Sequence, residues 1–271
     1  MGLPQELVDH ILDLLRYDLR ALKACTLTCK AMFASTRRVI HATLHLNPRN
    51  NQRILTRGEK TRYQGEDCHD VVLRFLSFMG ERGLLRYVRH VNIRVYLGTF
   101  TPDTLLPHIH YFRSLDRVHT LTINRHDTIL WAPLHERFFL HFYSTLTSLT
   151  LRRPFGHYRL ALQFALQFPN LENLSLEWME SQQIEPGVVI PIVDKFPPLR
   201  GNLRLVGLDD KIHWPVDLAE DIRNKVNFRS VELEDSFENY AQHILEACAG
   251  TIEHLTLVPR GTGTCRMSVN H

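Results

Sequence analysis

The chain has 271 residues, 44% hydrophobic and 23% charged, which is the composition of a globular protein and not of a disordered or fibrous one. Its formal net charge of +3 is small and the charges are interspersed, so the composition predicts neither a nucleic-acid nor a membrane partner. The five cysteines are odd in number and irregularly spaced, which favours reduced thiols and a cytoplasmic and/or nuclear location over a disulfide framework.

The N-terminal stretch predicts three short helices. Leu7, Ile11, Leu14 and Leu15 follow Pro4 at helical spacing and are expected to share one face of the first helix. Asp18 is predicted to cap a second helix that begins at Leu19 and includes Leu22. A third segment carries Cys25, Leu27, Cys29, Met32 and Phe33. So small a unit has more apolar surface than it can bury by itself.

The order LPQELVDHILDLL, followed by YDLRALKACTLTCKAMF, resembles the F-box family in the form common among fungal F-box proteins. The chain differs from the family where Met32 and Phe33, instead of Trp, follow the Cys-Lys pair. The resemblance implies that residues 1–46 form an F-box domain that docks on a Skp-type adaptor and, through it, on a cullin. The residues expected to bind the adaptor are Leu3, Pro4, Leu7, Ile11, Leu15, Leu19, Leu22, Leu27 and Cys29.

On the apolar pattern alone, another interpretation of the first helix is favoured. Amphipathic helices usually belong to a core, so Leu7, Ile11 and Leu15 would then pack against the rest of this chain. Only the family resemblance favours a partner. Residues 47–69, which follow, are polar and basic with little periodicity and predict a linker or a long surface loop.

A loose LxxLxL pattern recurs through residues 70–258 at steps of 24–30 residues. Its apolar triplets are Val88/Val91/Ile93, Val118/Leu121/Ile123, Leu146/Leu149/Leu151, Leu171/Leu174/Leu176, Leu199/Leu203/Leu205 (with one inserted residue), Phe228/Val231/Leu233 and Ile252/Leu255/Leu257. Amphipathic segments lie between them, among them those around Phe142, Tyr158 and Tyr240. Strands alternating with helices at such a period predict a parallel β/α solenoid, which a further strand at residues 43–46 would begin.

These repeats resemble the leucine-rich-repeat superfamily, in the irregular form that often follows an F-box. The Asn or Cys usual after the last leucine is absent throughout, so even curvature is not expected. The predicted fold class is therefore α/β: a small N-terminal three-helix F-box followed by a parallel β/α leucine-rich-repeat-like solenoid.

Motifs for catalysis are missing from the sequence. His135, Glu136 and His141 lack the His-Glu-x-x-His zinc spacing, and no glycine-rich loop precedes a predicted helix. Cys25 and Cys29 are spaced as two metal ligands would be, but no second pair is near them in sequence. We therefore predict no enzyme, no cofactor and no metal.

A binding surface is predicted instead on the face of the sheet opposite the inward leucines, because side chains alternate along a strand. The residues expected there as candidates for binding a protein substrate are His90, Asn92, Arg94, Thr122, Asn124, Thr150, Arg152, Ser175, Glu177, Glu232 and Glu234. Along the chain they change from basic to acidic. The alternative for each residue is an ordinary solvated sheet position.

These patterns together predict a substrate-recognition subunit of a Skp–cullin–F-box E3 ubiquitin ligase. The alternative is an F-box scaffold that binds the adaptor without ubiquitin ligation, and a hydrolase or transferase is a distant third.

Residues 259–271 predict a disordered tail with no helical stripe to cover Leu255 and Leu257. We therefore expect an open last strand, in a truncated chain or one covered by another chain; the alternative is that the tail folds back as a lid.

Overall fold

The structure is a computed structural model that describes residues 4–47, 68–94, 109–124, 140–152, 158–177, 198–207, 226–234, 245–258 and 265–268. Most of the predicted linker (48–67) lies outside these residues, as do most of the apolar segment around Tyr240 and the residues before Leu140 in the segment around Phe142. The described residues form an α/β fold with eight parallel strands. Among the described residues, no helix combines the length and the apolar character needed to cross a membrane.

The N-terminal residues 4–40 form a three-helix unit: α1 (Gln5–Leu14), α2 (Leu19–Cys25) and α3 (Lys30–Ile40). Asp18 caps α2 as predicted, since its carboxylate accepts hydrogen bonds of 3.0 Å from the backbone N–H groups of Arg20 and Ala21. The fully buried apolar residues described in the unit are Val8, Leu12 and Leu22, and five partly buried apolar side chains pack against them. So small a core leaves much of the apolar surface of the unit uncovered.

The strands follow one another across a single sheet in the order of the chain. They are β1 (Thr43–Leu46), β2 (His90–Ile93), β3 (Thr120–Asn124), β4 (Ser148–Arg152), β5 (Asn173–Glu177), β6 (Leu199–Val206), β7 (Val226–Glu234), β8 (His254–Val258) and β9 (Cys265–Ser268). Strands β1 to β8 are parallel, and β9 is antiparallel to β8. The prediction that residues 43–46 begin the sheet is confirmed, because β1 pairs with β2.

The apolar repeats determine the register of the strands. One row of paired residues crosses the sheet through Leu44, Val91, Leu121, Leu149, Leu174, Leu203, Val231 and Leu255. Helices α4 (Cys68–Glu81), α5 (Ile109–Arg113) and α6 (Tyr158–Leu166) lie in the connections between strands, with 3-10 turns at Leu85–Tyr87 and Leu140–Phe142. Their apolar side chains join the inward leucines in one continuous core that extends from Leu44 to Ile252.

The register shifts between Gly201 and Asn202, where β6 pairs with β7. Gly201 pairs with Phe228 but Asn202 with Ser230, so the extra residue of this bulge is Arg229 on β7. Gly201 has φ +91, and a Cβ at this position would lie 2.1 Å from the carbonyl oxygen of Glu172. Only glycine fits both the backbone angle and the close approach of the neighbouring chain.

The C-terminal residues differ from the predicted disordered tail, since residues 265–268 form β9. This strand pairs with β8 and places Met267 opposite Leu255 and Cys265 opposite Leu257. The last parallel strand is therefore not open on that side, and the alternative of a tail that folds back matches the structure. Backbone pairing needs no helical stripe, which is why the sequence pattern did not indicate it.

Candidate functional site

Among the described residues, the three-helix unit carries most of the large apolar side chains that are exposed. Seven large apolar side chains are exposed in the described residues, and the one outside this unit is Tyr143. The six within it are Leu7, Leu14, Tyr17, Leu19, Leu27 and Phe33. An exposed apolar concentration of this kind marks an interaction surface more often than an ordinary solvated one.

The predicted adaptor-binding residues lie at different depths within this unit. Leu7 is 43% exposed, Leu19 is also exposed, and Leu27 is 88% exposed. Ile11 and Leu15 are half-buried. The predicted set therefore includes residues from more than one side of α1, because the buried side of this helix contains Val8 and Leu12.

Four other members of the predicted set have structural roles or lie outside the described residues. Leu22 is 0% exposed and packs in the core of the unit, so here it is a core residue and not part of the accessible surface. Pro4 is exposed, and its carbonyl accepts the first hydrogen bonds of α1. Cys29 is exposed too, but its Sγ accepts a hydrogen bond from the N–H of Met32 and caps α3. Leu3 lies outside the described residues.

Three exposed apolar residues were absent from the predicted set: Leu14, Tyr17 and Phe33. Arginines cover two of them in part, with the Arg16 guanidinium 4.7 Å from the Tyr17 ring and that of Arg37 5.4 Å from the Phe33 ring. The sequence held a signal for Leu14, which has the helical spacing of Leu7 and Ile11.

The face of the sheet opposite the leucines forms the second candidate surface, and we call it the polar face. Strands β2 to β4 alternate between buried apolar residues and accessible polar ones, as predicted. The polar positions on these three strands are His90, Asn92, Thr120, Thr122, Asn124, Ser148, Thr150 and Arg152, and Arg94 follows β2 in an exposed position. The structure therefore brings the predicted early residues together on one side.

Ion pairs link the later strands of the polar face. The Arg152 Nε donates a hydrogen bond of 2.6 Å to the Glu177 carboxylate, which is buried. A second arginine, Arg204 on β6, lies 3.6 Å from the same carboxylate. Arg204 also donates to Glu232, at 3.0 Å, and to Glu234. A continuous charge network thus joins β4, β5, β6 and β7.

Arg204 was missed by sequence reasoning, although it sits at the centre of this network. Burial acts to lower the pKa of Arg204, but the hydrogen bonds and charges of Glu232 and Glu234 outweigh burial and raise it. The predicted change from basic to acidic along the sheet omitted this residue. The acidic side chains of β7 are consequently neutralised by a cation on the neighbouring strand.

A depression of about 390 Å³ lies beside the network on the polar face. Its polar lining comprises Ser148, Asn173, Ser175, Asn202, Ser230 and the charged pair Arg204 and Glu232. The Asn202 amide donates a 2.7 Å hydrogen bond to the side-chain oxygen of Asn173. Hydroxyls and amides of this kind are suited to hydrogen bonding with a peptide or another polar ligand.

In the part of the chain that the structure describes, no three His, Cys, Asp or Glu side chains are grouped so that they could hold a metal ion.

No model of a known protein family matches the sequence, and no curated protein matches it.

Proposed function

We propose that the chain is the substrate-recognition subunit of a Skp–cullin–F-box E3 ubiquitin ligase. Residues 1–46 would act as the F-box that binds the Skp-type adaptor, and the sheet would bind a protein substrate. The observation that carries the proposal is the concentration of exposed apolar side chains in the three-helix unit. The ligase chemistry would belong to other subunits.

The physical support for adaptor binding is the imbalance between core and surface in the three-helix unit. Three side chains form its buried core, whereas Leu7, Leu19 and Leu27 offer apolar area to solvent on the same unit. Each such side chain gains about 1.5–3 kcal/mol when it is fully buried, so several together favour association with a helical partner. The order of residues in this unit is the one that resembles the F-box family.

The support for a solenoid is the neighbour-only arrangement of the repeats. Each parallel strand pairs with the strands that precede and follow it in the chain, and its inward leucines pack against those of its neighbours. This is how leucine-rich-repeat solenoids bury their apolar layers, and the exposed sheet face is their usual binding side. The polar face with its depression is therefore the proposed substrate side.

The test is co-purification with a recombinant Skp-type adaptor in the presence of a recombinant cullin. We expect the double variant Leu7→Glu/Leu27→Glu to lose the adaptor, since both side chains are exposed and the new charges would be desolvated in the complex. The matched control is Tyr143→Glu, a side chain 45% exposed against 43% for Leu7 but outside the three-helix unit.

Three outcomes separate the alternatives. Loss of the adaptor in the double variant alone, with unchanged circular dichroism, supports the proposal. Retention of the adaptor by the double variant, or no binding by the natural chain, contradicts it. Adaptor binding with no cullin in the purified complex would favour the scaffold alternative, in which the F-box acts without ubiquitin ligation.

A further inference from the structure

Four arginines converge where α3 meets the amino-terminal ends of β2 and β3, and we call them the arginine cluster. Arg38 belongs to the last turn of α3, Arg86 to the 3-10 turn before β2, and Arg89 and Arg117 to the residues that lead into β2 and β3. Together with Tyr87 they line a cavity of about 580 Å³. Among the described residues, every charged residue of that lining is an arginine.

The described residues place no compensating carboxylate on the cluster. None of its four arginines forms an ion pair with a carboxylate among the described residues, in contrast to Arg152 and Arg204 on the polar face. Arg86 donates a 2.8 Å hydrogen bond to the Tyr87 hydroxyl and lies over its ring. The Arg89 Nη1 is buried without a hydrogen-bond partner in the structure. A buried guanidinium nitrogen without a partner is costly unless an acceptor reaches it.

The environment of His90 indicates positive charge beside the cluster. His90, the first residue of β2, has a lowered pKa because of burial and then because of the charges of His119, Arg16 and Arg89. The position of Arg38 in the last turn of α3 explains why a basic residue occurs there, since cations are favoured at the carboxyl end of a helix. It does not account for Arg86, Arg89 and Arg117, which lie outside the last turn of any described α-helix.

We propose that the arginine cluster binds a compact anion that carries more than one phosphate group. Guanidinium groups donate paired hydrogen bonds to phosphate oxygens, and several of them facing one cavity suit a ligand with several such groups. The Arg89 Nη1 supplies the donor that lacks a partner. Because the cluster joins α3 to the sheet, the bound anion also ties the three-helix unit to the strands. The residues that line the cavity belong to neither of the two proposed protein-binding surfaces.

The test is calorimetric titration of the full chain with sodium tripolyphosphate, and with inorganic phosphate and sulfate at matched ionic strength. We expect tripolyphosphate to bind about tenfold or more tightly than either single anion, and to raise the melting temperature of the protein. The double variant Arg38→Gln/Arg117→Gln changes only exposed side chains and should weaken this binding about tenfold or more. Arg89→Gln provides a second variant that removes the donor without a partner.

The matched control is Arg229→Gln. Arg229 comes directly before Ser230, where the pairing of β7 with β8 begins, just as Arg89 comes directly before His90 at the start of β2. Unlike Arg89, Arg229 is exposed, and its guanidinium lies 3.9 Å from the Glu253 carboxylate. The affinity for tripolyphosphate should not change in this control.

Four results would overturn the proposal. These are no tripolyphosphate binding by the natural chain, equal affinity for sulfate, equal binding by the Arg38→Gln/Arg117→Gln variant, and tighter binding of a duplex oligonucleotide through the same arginines. The last result would assign the cluster to a nucleic acid instead.

Discussion

At the scale of single residues, Glu177 holds the charge network of the polar face together. It is buried, and its carboxylate receives Arg152 and Ser175 by hydrogen bonds and Arg204 at 3.6 Å. A buried carboxylate is tolerated because cations and donors compensate for the lost hydration. The alternation of side chains along β5 predicted that Glu177 would be accessible, but the long side chains of Arg152 and Arg204 cover it.

Glu177→Gln tests the energetic role of this carboxylate. The substitution keeps the size and one acceptor but leaves two guanidiniums without their shared counter-charge. Because Arg152 and Arg204 are each nearly half exposed, solvent reduces the cost, and we expect the free energy of unfolding to fall by about 1–2 kcal/mol. Urea denaturation measures the change.

Glu253→Gln is the control for this prediction, because its pair with Arg229 is exposed and spans 3.9 Å. Exposed pairs contribute little, so the control should lower the free energy of unfolding by less than about 0.5 kcal/mol. If the two variants unfold at the same urea concentration, Glu177 does not stabilise the face.

At the scale of elements, a bulge on β7 keeps the strand in register with β6. The pairing skips Arg229, after which Val231 and Leu233 lie opposite Leu203 and Leu205. Since side chains alternate along a strand, this extra residue without a bulge would turn Val231 and Leu233 to the polar face. The bulge therefore preserves the core.

Gly201→Ala should destabilise the protein by about 2 kcal/mol or more, because the positive φ and the 2.1 Å approach to Glu172 oxygen both oppose a Cβ. The measurement is the free energy of unfolding in urea. Gly250→Ala is the control, since a Cβ there meets nothing within 4 Å and the new residue should have little effect. Equal stability of the two variants would show that β6 adjusts to a Cβ at residue 201 without cost.

The sequence was informative about the strands because their leucines follow two periods at once, alternation within a strand and recurrence between strands. It was less informative where one pattern fits several arrangements. On α1, apolar residues occupy more than one side, so the spacing of Leu7 and Ile11 did not reveal the buried Val8 and Leu12. Arg204 was missed because the inserted residue obscured which positions of β6 reach the polar face.

At the scale of the whole molecule, nearest-neighbour pairing leaves the sheet dependent on what covers its edges. On the C-terminal side β9 pairs antiparallel with β8. The side chains of Leu255 and Leu257 on β8 are half-buried. An uncovered parallel strand presents a row of free N–H and C=O groups that can pair with another molecule. We infer that β9 protects β8 from such pairing.

The double variant Arg266→Pro/Met267→Pro tests this protection. Neighbouring residues of an antiparallel strand alternate in donating to the partner strand, so two consecutive prolines remove a donor whichever of them faces β8. We expect amide hydrogen exchange across residues 254–258 to accelerate about tenfold or more, and sedimentation to show association that increases with concentration. Asn270→Pro, placed after the end of β9, is the control and should leave both measurements unchanged. Unaltered exchange in the double variant would mean that β8 is protected by its parallel neighbour and the core alone, and that β9 does not guard the edge.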